Sequence, residues 1–454
     1  MANAQYDNMT HGSSIKSMLR FAFPMILGNL LQQCYNIADT LIVGRILGPN
    51  ALAAGGSSFT LMTFLTSILL GLCMGSGTLF SMRFGEGNEK GLKESIFASF
   101  VIIIFLTIVL NLLTFLFLDN IQFFLQVPNE VWTEMRCYLL VIFCGIFATF
   151  LYNYFASLLR AIGNSVVPLI FLAVSALLNI ALDLWFVIGL HWGVAGAAAA
   201  TVIAQYISGI GITLYSLAHV PSLKVLPAEI KQGRCRVQLT CIREISAFSI
   251  LTCIQQSIMN LGILMVQGIV NSFGPTVMAA FAAAVKIDAF AYMPVQDFGN
   301  AFSTFIAQNY GAKKENRIRT GFRGALLVSL VFCVLISAAV FIFAKPLMLL
   351  FVNARETAIV AEGVRYLRIE GAFYCGIGCL FLLYGLYRAL AKPGMSVVLT
   401  VFSLGTRVVL AYALSSIPAI GVVGIWWSVP IGWILADIVG LAYYVNKKKL
   451  LFDW

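Results

Sequence analysis

The chain alternates long apolar runs with short polar connections. Runs over 97–118, 138–150, 166–182 and 325–344 are typical, and several approach the roughly 20 residues that a helix needs to cross a bilayer core. They are apolar on every face rather than alternating with period two, so they predict helices and argue against an outer-membrane barrel. About twelve spans are expected, near 17–43, 51–76, 94–118, 132–158, 163–188, 193–218, 243–270, 277–302, 321–345, 361–387, 393–417 and 421–446. The first twenty residues are polar and the first apolar segment is too long for a leader core, so no secretory signal is expected.

The polar connections are not equivalent. Basic residues gather in every second one, including Arg83, Lys90 and Lys93, then Lys231, Arg234 and Arg236, then Lys313, Lys314 and Arg317. That side of the membrane collects 21 of the 29 Lys and Arg, which by the positive-inside rule is the cytoplasm. Both termini then face the cytoplasm of a cell's inner (plasma) membrane, which requires an even number of spans. Composition agrees: 60% of residues are hydrophobic and 11% charged, against about 25% charged in a soluble domain. The net charge of +10 is explained by topology, and no nucleic-acid partner is expected. Ten cysteines occur without a CxxC pair and read as small apolar helix residues.

The sequence is also written twice. FGEGNEKG from Phe84 matches YGAKKENR from Tyr310, and GPNALAA from Gly48 matches GPTVMAA from Gly274, both 226 positions apart. Tyr138-Leu139 matches Tyr366-Leu367, Arg160-Ala161 matches Arg388-Ala389, and Gly193–Gly196 matches Gly421–Gly424, each 228 apart. A six-helix unit therefore recurs in the same orientation, giving an N-terminal lobe over 1–218, a cytoplasmic linker over 219–242 and a C-terminal lobe over 243–454. Parallel repeats of this kind are a transporter architecture with the substrate site near their interface. The matched glycines also have a simpler role in turns and close helix packing.

Carboxylates inside spans are costly and mark functional candidates. Asp39 is one, and Gln32, Tyr35 and Asn36 lie within about 60° of it around the first helix. That face suits a wet cavity; a helix cap or a pair with Arg45 is the structural alternative. In the fifth span Asn179 and Asp183 share a face at i and i+4, and the sixth offers Thr201. Measured from the expected outer ends, Asp39, Asp183 and Thr201 lie about 6, 8 and 12 Å deep. Two carboxylates, an amide and a hydroxyl form an all-oxygen site for a hard cation or a proton relay, with Na⁺ and H⁺ both open. The repeat places Met265, Arg407, Ala411 and Val429 at the positions of Asp39, Asn179, Asp183 and Thr201. Scaffolding alone therefore does not require the constellation. In the second half Lys286, Asp288, Glu370 and Arg407 share one depth and are expected to form a mutually neutralising charge network, with a substrate or proton role for one of the carboxylates as the alternative; Asp437 lies in the last span.

Pro24, Gln32, Tyr35 and Asp39, the GPNALAA stretch, Asn153, Asn179, Asp183 and Thr201 resemble multidrug and toxic compound extrusion (MATE) transporters. Length, span number and repeat extend the resemblance over the whole chain. It implies an all-α polytopic membrane protein, twelve transmembrane helices in two six-helix bundles related by pseudo-twofold symmetry, that exports organic cations or amphiphilic drugs in exchange for Na⁺ or H⁺. It further implies that Asp39, Asn179, Asp183 and Thr201 surround the coupling cation, that Gln32, Tyr35, Asn36 and Asn153 line the cavity, and that the first span bends at Pro24. Some members carry an acid in span 7, where this chain has Gln255, Gln256 and Asn260. Apart from the coupling ion no cofactor or metal is expected; the bilayer and small molecules are the partners, and a monomer is expected. The alternatives are a flippase for a lipid-linked saccharide or peptidoglycan precursor and, more remotely, a membrane-embedded enzyme, although DDxxD, HExxH, GxSxG and Walker motifs are absent.

Overall fold

The computed structural model describes residues 8–47, 49–124, 129–224 and 238–447. Gly48 of the first GPNALAA stretch, most of the 219–242 linker, and Lys448 and Lys449 lie outside the described residues.

Among the described residues the secondary structure is helical throughout. The helices are α1 (Ser14–Ile46), α2 (Pro49–Gly85), α3 (Glu89–Leu116), α4 (Leu118–Phe124), α5 (Asn129–Phe143), α6 (Ile146–Ala161), α7 (Val166–Asp183) and α8 (Gly193–His219). They continue with α9 (Leu239–Asn271), α10 (Pro275–Gly311), α11 (Glu315–Leu349), α12 (Thr357–Gly371), α13 (Tyr374–Ala389), α14 (Pro393–Ser415) and α15 (Val422–Asn446). A π turn, Leu184–Gly189, follows α7.

Nine of these helices are long and apolar enough to cross a membrane, and the bent pairs α5–α6 and α12–α13 raise the number to eleven. α1 is not among them, and its middle carries Asn29, Gln32, Gln33, Asn36 and Asp39. Side chains such as Phe105, Leu335 and Ile342 are 63%, 66% and 66% exposed, as expected of faces solvated by lipid rather than water. The protein is thus an all-α polytopic membrane protein.

Helix ends repeat with the sequence. α2 and α10 end at Gly85 and Gly311, 226 positions apart, and α6 and α13 end at Ala161 and Ala389, 228 apart. The fourth span is broken at the same place in both halves, by 44° between Phe143 and Ile146 and by 52° between Gly371 and Tyr374. The matched glycines Gly193 and Gly421 have φ of 63° and 53°, where a Cβ is disfavoured. In the FGEGNEKG turn Gly87 has φ 70°, and Asn88 Oδ1 accepts from Gly91 N at 2.8 Å to cap α3.

Packing divides the chain differently from connectivity. One compact unit (unit 1) contains Phe23–Cys253, and the other (unit 2) contains Asn8–Ala22 and Ile254–Trp454. The division therefore falls inside α9 and near the start of α1, rather than in the linker. Glycines explain the α9 half: a Cβ on Gly71 of α2 would lie 2.5 Å from Cys253 Cα, and one on Gly75 would strike the Phe248 carbonyl. Between them Ser76 and Ser249 hydroxyls share a hydrogen bond of 2.8 Å. Unit 1 also buries Tyr154, whose hydroxyl donates to the Ile96 carbonyl at 2.6 Å and whose ring packs edge-on to Phe100 at 5.3 Å. Unit 2 buries Trp426 between Phe281, stacked at 5.6 Å, and Tyr366 at 4.9 Å.

Overpacking a closed helix contact costs about 1–3 kcal/mol. Gly71→Ala and Gly75→Ala should therefore each lower the thermal midpoint in detergent by several degrees. Gly268→Ala, on α9 but with nothing within 4 Å of its added Cβ, should leave it unchanged.

Candidate functional site

Unit 1 brings together the residues of its candidate site from three helices. Asp183 closes α7, and Asn179 sits one turn earlier on the same face. Both are buried, at 0% and 1% exposure. The i and i+4 spacing aims them together toward α8, where Thr201 donates to the Ala197 carbonyl at 3.2 Å. Asn179 and Thr201 Oγ1 are 3.2 Å apart. The amide orientation that satisfies both neighbours has Asn179 Nδ2 donating to Asp183 Oδ2 at 3.2 Å and Oδ1 accepting from Thr201 Oγ1 at 3.2 Å, the one hydroxyl hydrogen then turning from Ala197 to Asn179.

α1 supplies the second acid. The carboxyl groups of Asp39 and Asp183 are within hydrogen-bonding reach of each other. Each retains an oxygen, Oδ1, that is buried without a hydrogen-bond partner. Tyr35, one turn earlier on α1, lies in the field of both acids. Gly28 of α1 faces Leu169 and Leu172 of α7, with room for a Cβ at 3.4–3.5 Å, so the two helices approach closely below the acids.

Gln32 is exposed and Asn36 half-buried. Asn153 donates to the Thr149 carbonyl of its own helix at 2.8 Å. Thr149 Oγ1 in turn lies 3.4 Å from Gln205 Oε1, one turn beyond Thr201 on α8. α1 runs unbroken through Pro24. The side chain of Arg45 lies outside the described residues.

Two features were not anticipated. Tyr138 on α5 interacts electrostatically with Asp39, Tyr35 and Asp183; its match to Tyr366 had marked it only as scaffold. The π turn begins immediately after Asp183, with Leu190 N bonded to the Trp185 carbonyl at 2.9 Å. π turns cluster at functional sites, and no periodicity signal announces them.

In unit 2 the charge network forms in part. Asp288 accepts hydrogen bonds from Tyr366 Oη at 2.7 Å and from Tyr374 Oη, and Glu370 and Arg407 interact with it. Lys286 does not join, contrary to expectation: two residues before Asp288 it is rotated by about 200° around α10, and it is exposed. Two acids therefore share one guanidinium. Asp437 is separate and contacts Cys379. The described residues contain no group of three or more His, Cys, Asp and Glu that could hold a metal.

A membrane bundle with a doubled six-helix unit and an oxygen-rich acid pair in one unit narrows the family. The family model described as MatE matches residues 24–185 and again 250–413, once in each repeat. The chain belongs to the MatE family. Among relatives of this MatE protein, "Probable multidrug resistance protein YpnP" of Bacillus subtilis is 29% identical over 441 residues, covering 97% of this chain and 96% of the relative. "Probable multidrug resistance protein NorM" of Thermotoga maritima is 25% identical, covering 96% and 91%. A solved structure titled "Outward-facing conformation of a multidrug resistance MATE family transporter of the MOP superfamily" superposes with a TM-score of 0.89 at 21% identity over 99% of both chains.

A ligand that binds only the folded state stabilises it by about 2.7 kcal/mol at a hundredfold excess over its Kd. If a cation sits between the acids, Na⁺ or acid titration should raise the thermal midpoint of the wild type. Asp39→Asn and Asp183→Asn should flatten that response. Equal responses in wild type and both variants would place the cation elsewhere.

Proposed function

We propose that this protein is a secondary active exporter that moves organic cations or amphiphilic drugs out of the cell in exchange for Na⁺ or H⁺. Support for export comes from membership of the MatE family and from relatives named as multidrug resistance and export proteins. The observation that carries the exchange is the contact between Asp39 and Asp183, each with an unpartnered buried oxygen. Two carboxylates cannot abut in an apolar bundle without a proton or a cation to offset their repulsion. The remaining donors are hard oxygens, which fit Na⁺ as well as a proton.

Asn179 is the adaptable member. Its Nδ2 donates to Asp183, and a turn of the amide would offer its oxygen to a metal cation instead. Tyr35 and Tyr138 offer aromatic faces to a cationic drug held by the same acids. Ion and drug then compete for one negative charge, and the drug leaves when the ion takes its counter-charge. Linkage makes the effect reciprocal: Na⁺ or H⁺ must weaken drug binding by the factor by which drug weakens ion binding. The basic-loop asymmetry supports cytoplasmic termini in an inner membrane. The protein acts as a monomer on this reading.

Ethidium flux in proteoliposomes under separately imposed Na⁺ and H⁺ gradients tests the reading. Efflux should follow one gradient, and Asp39→Asn should abolish it. Met265→Asn, at the repeat-equivalent position where the side chain is 45% exposed, should retain it. Efflux indifferent to both gradients would refute exchange.

A further inference from the structure

Residues 8–12, ahead of α1, are held firmly by side chains of unit 2. Here Asn8 Oδ1 accepts from Thr10 N at 3.0 Å and from Thr10 Oγ1 at 2.7 Å, and Gly12 turns the chain at φ 72°. Every carbonyl from Met9 to Gly12 is then bound by a side chain of unit 2. Arg317 Nε and Nη2 donate to Met9 O at 3.1 and 2.9 Å, Nη2 also to His11 O at 2.6 Å, and Nη1 to Gly12 O at 2.6 Å. Lys314 Nζ donates to Thr10 O at 2.9 Å, and the buried Asn309 donates to Met9 O at 3.2 Å. Met9 N donates to Gln308 Oε1 at 3.0 Å.

The grip continues into the helix. Met18, Phe21 and Ala22 are buried, and Ile15 packs on Gly324 of α11. From Phe23 onward α1 belongs to unit 1, where it carries Asp39 to the acid pair. One continuous helix is thus fixed in unit 2 at its start and placed in the candidate cation site near its end. The change of allegiance comes at residues 22 and 23, directly before Pro24, whose missing N–H weakens the helix there.

We propose that the turn at residues 9–12, clamped by Arg317 and Lys314, anchors α1 so that occupancy at Asp39 acts on unit 2 through the helix. The proposal rests on the exchange reading above. A clamp of this kind is a coupling element: it touches neither ion nor drug, and weakening it should separate binding from transport. Multidentate Arg–carbonyl bonding is not reproduced by Lys or Gln, whereas Arg323, exposed on the same helix, makes no bond to residues 9–12.

The test uses full-length protein in proteoliposomes. Arg317→Gln/Lys314→Gln should lose about tenfold in ion-driven ethidium efflux, within the usual range of site-to-site couplings. Equilibrium affinities for ethidium and for the coupling ion should stay within about twofold of wild type, and Arg323→Gln should transport normally. Arg317→Lys alone guards against misfolding, and should fall between wild type and the double variant. A double variant that transports like an active wild type overturns the anchor. So does one that loses ion and drug binding together with flux, which would make the clamp a support of the site instead. A wild type without ion-driven efflux overturns the exchange reading and this proposal with it.

Discussion

Two acidic side chains in contact inside an apolar helical bundle set the terms for the rest of this molecule. Like unit charges about 4 Å apart repel by about 4 kcal/mol even at an effective dielectric of about 20, a large share of the 5–15 kcal/mol that holds a typical domain together. The contact between Asp39 and Asp183 therefore persists only if charge is supplied from outside or a proton is retained. Among the described residues, Asn179 and Thr201 beside the pair are neutral, and Tyr35 and Tyr138 also face it. On the proposed function, a mobile cation supplies that charge.

Several local features follow from holding that pair in place. Asn179 fixes Asp183 through a side-chain bond to its own helix face, and Thr201 fixes Asn179 from α8. The π turn after Asp183 ends the regular α7 ladder where the acid projects. Gly28 lets α1 lie close to α7. These are contributions from separate helices to one geometry, and a polar face on α1 is their visible cost in hydropathy.

Much of this was legible in the sequence because membrane helices obey few rules. Apolar length located the helices to within several residues, with longer extensions at the basic connections, as where α10 runs to Gly311 and α11 begins at Glu315. The i, i+4 pairing of Asn179 and Asp183 followed from helix periodicity. Lys286 was misassigned because depth was weighed and angular phase was not. Tyr138 was hidden by the repeat itself, since a residue shared by both halves reads as scaffold. The boundary inside α9 was invisible because packing allegiance depends on which partner offers glycines, here Gly71 and Gly75 on α2.

The repeat also shows how one scaffold produced two electrostatic solutions. In both units a tyrosine at the matched position, Tyr138 or Tyr366, meets acidic groups, and in both the fourth span breaks at the same place. At the position of Asn179 the second unit carries Arg407, which interacts with Asp288 and Glu370. Unit 2 thus has a resident guanidinium beside its acids, and it cannot leave; on the proposed function a transient ion takes that part in unit 1. On that reading, an amide in place of a fixed counter-charge leaves room for an ion that binds and is released. On the proposed function, that single difference between residues 179 and 407 explains why the ion cycle is assigned to unit 1, while the matched helices of unit 2 hold two acids beside a resident guanidinium.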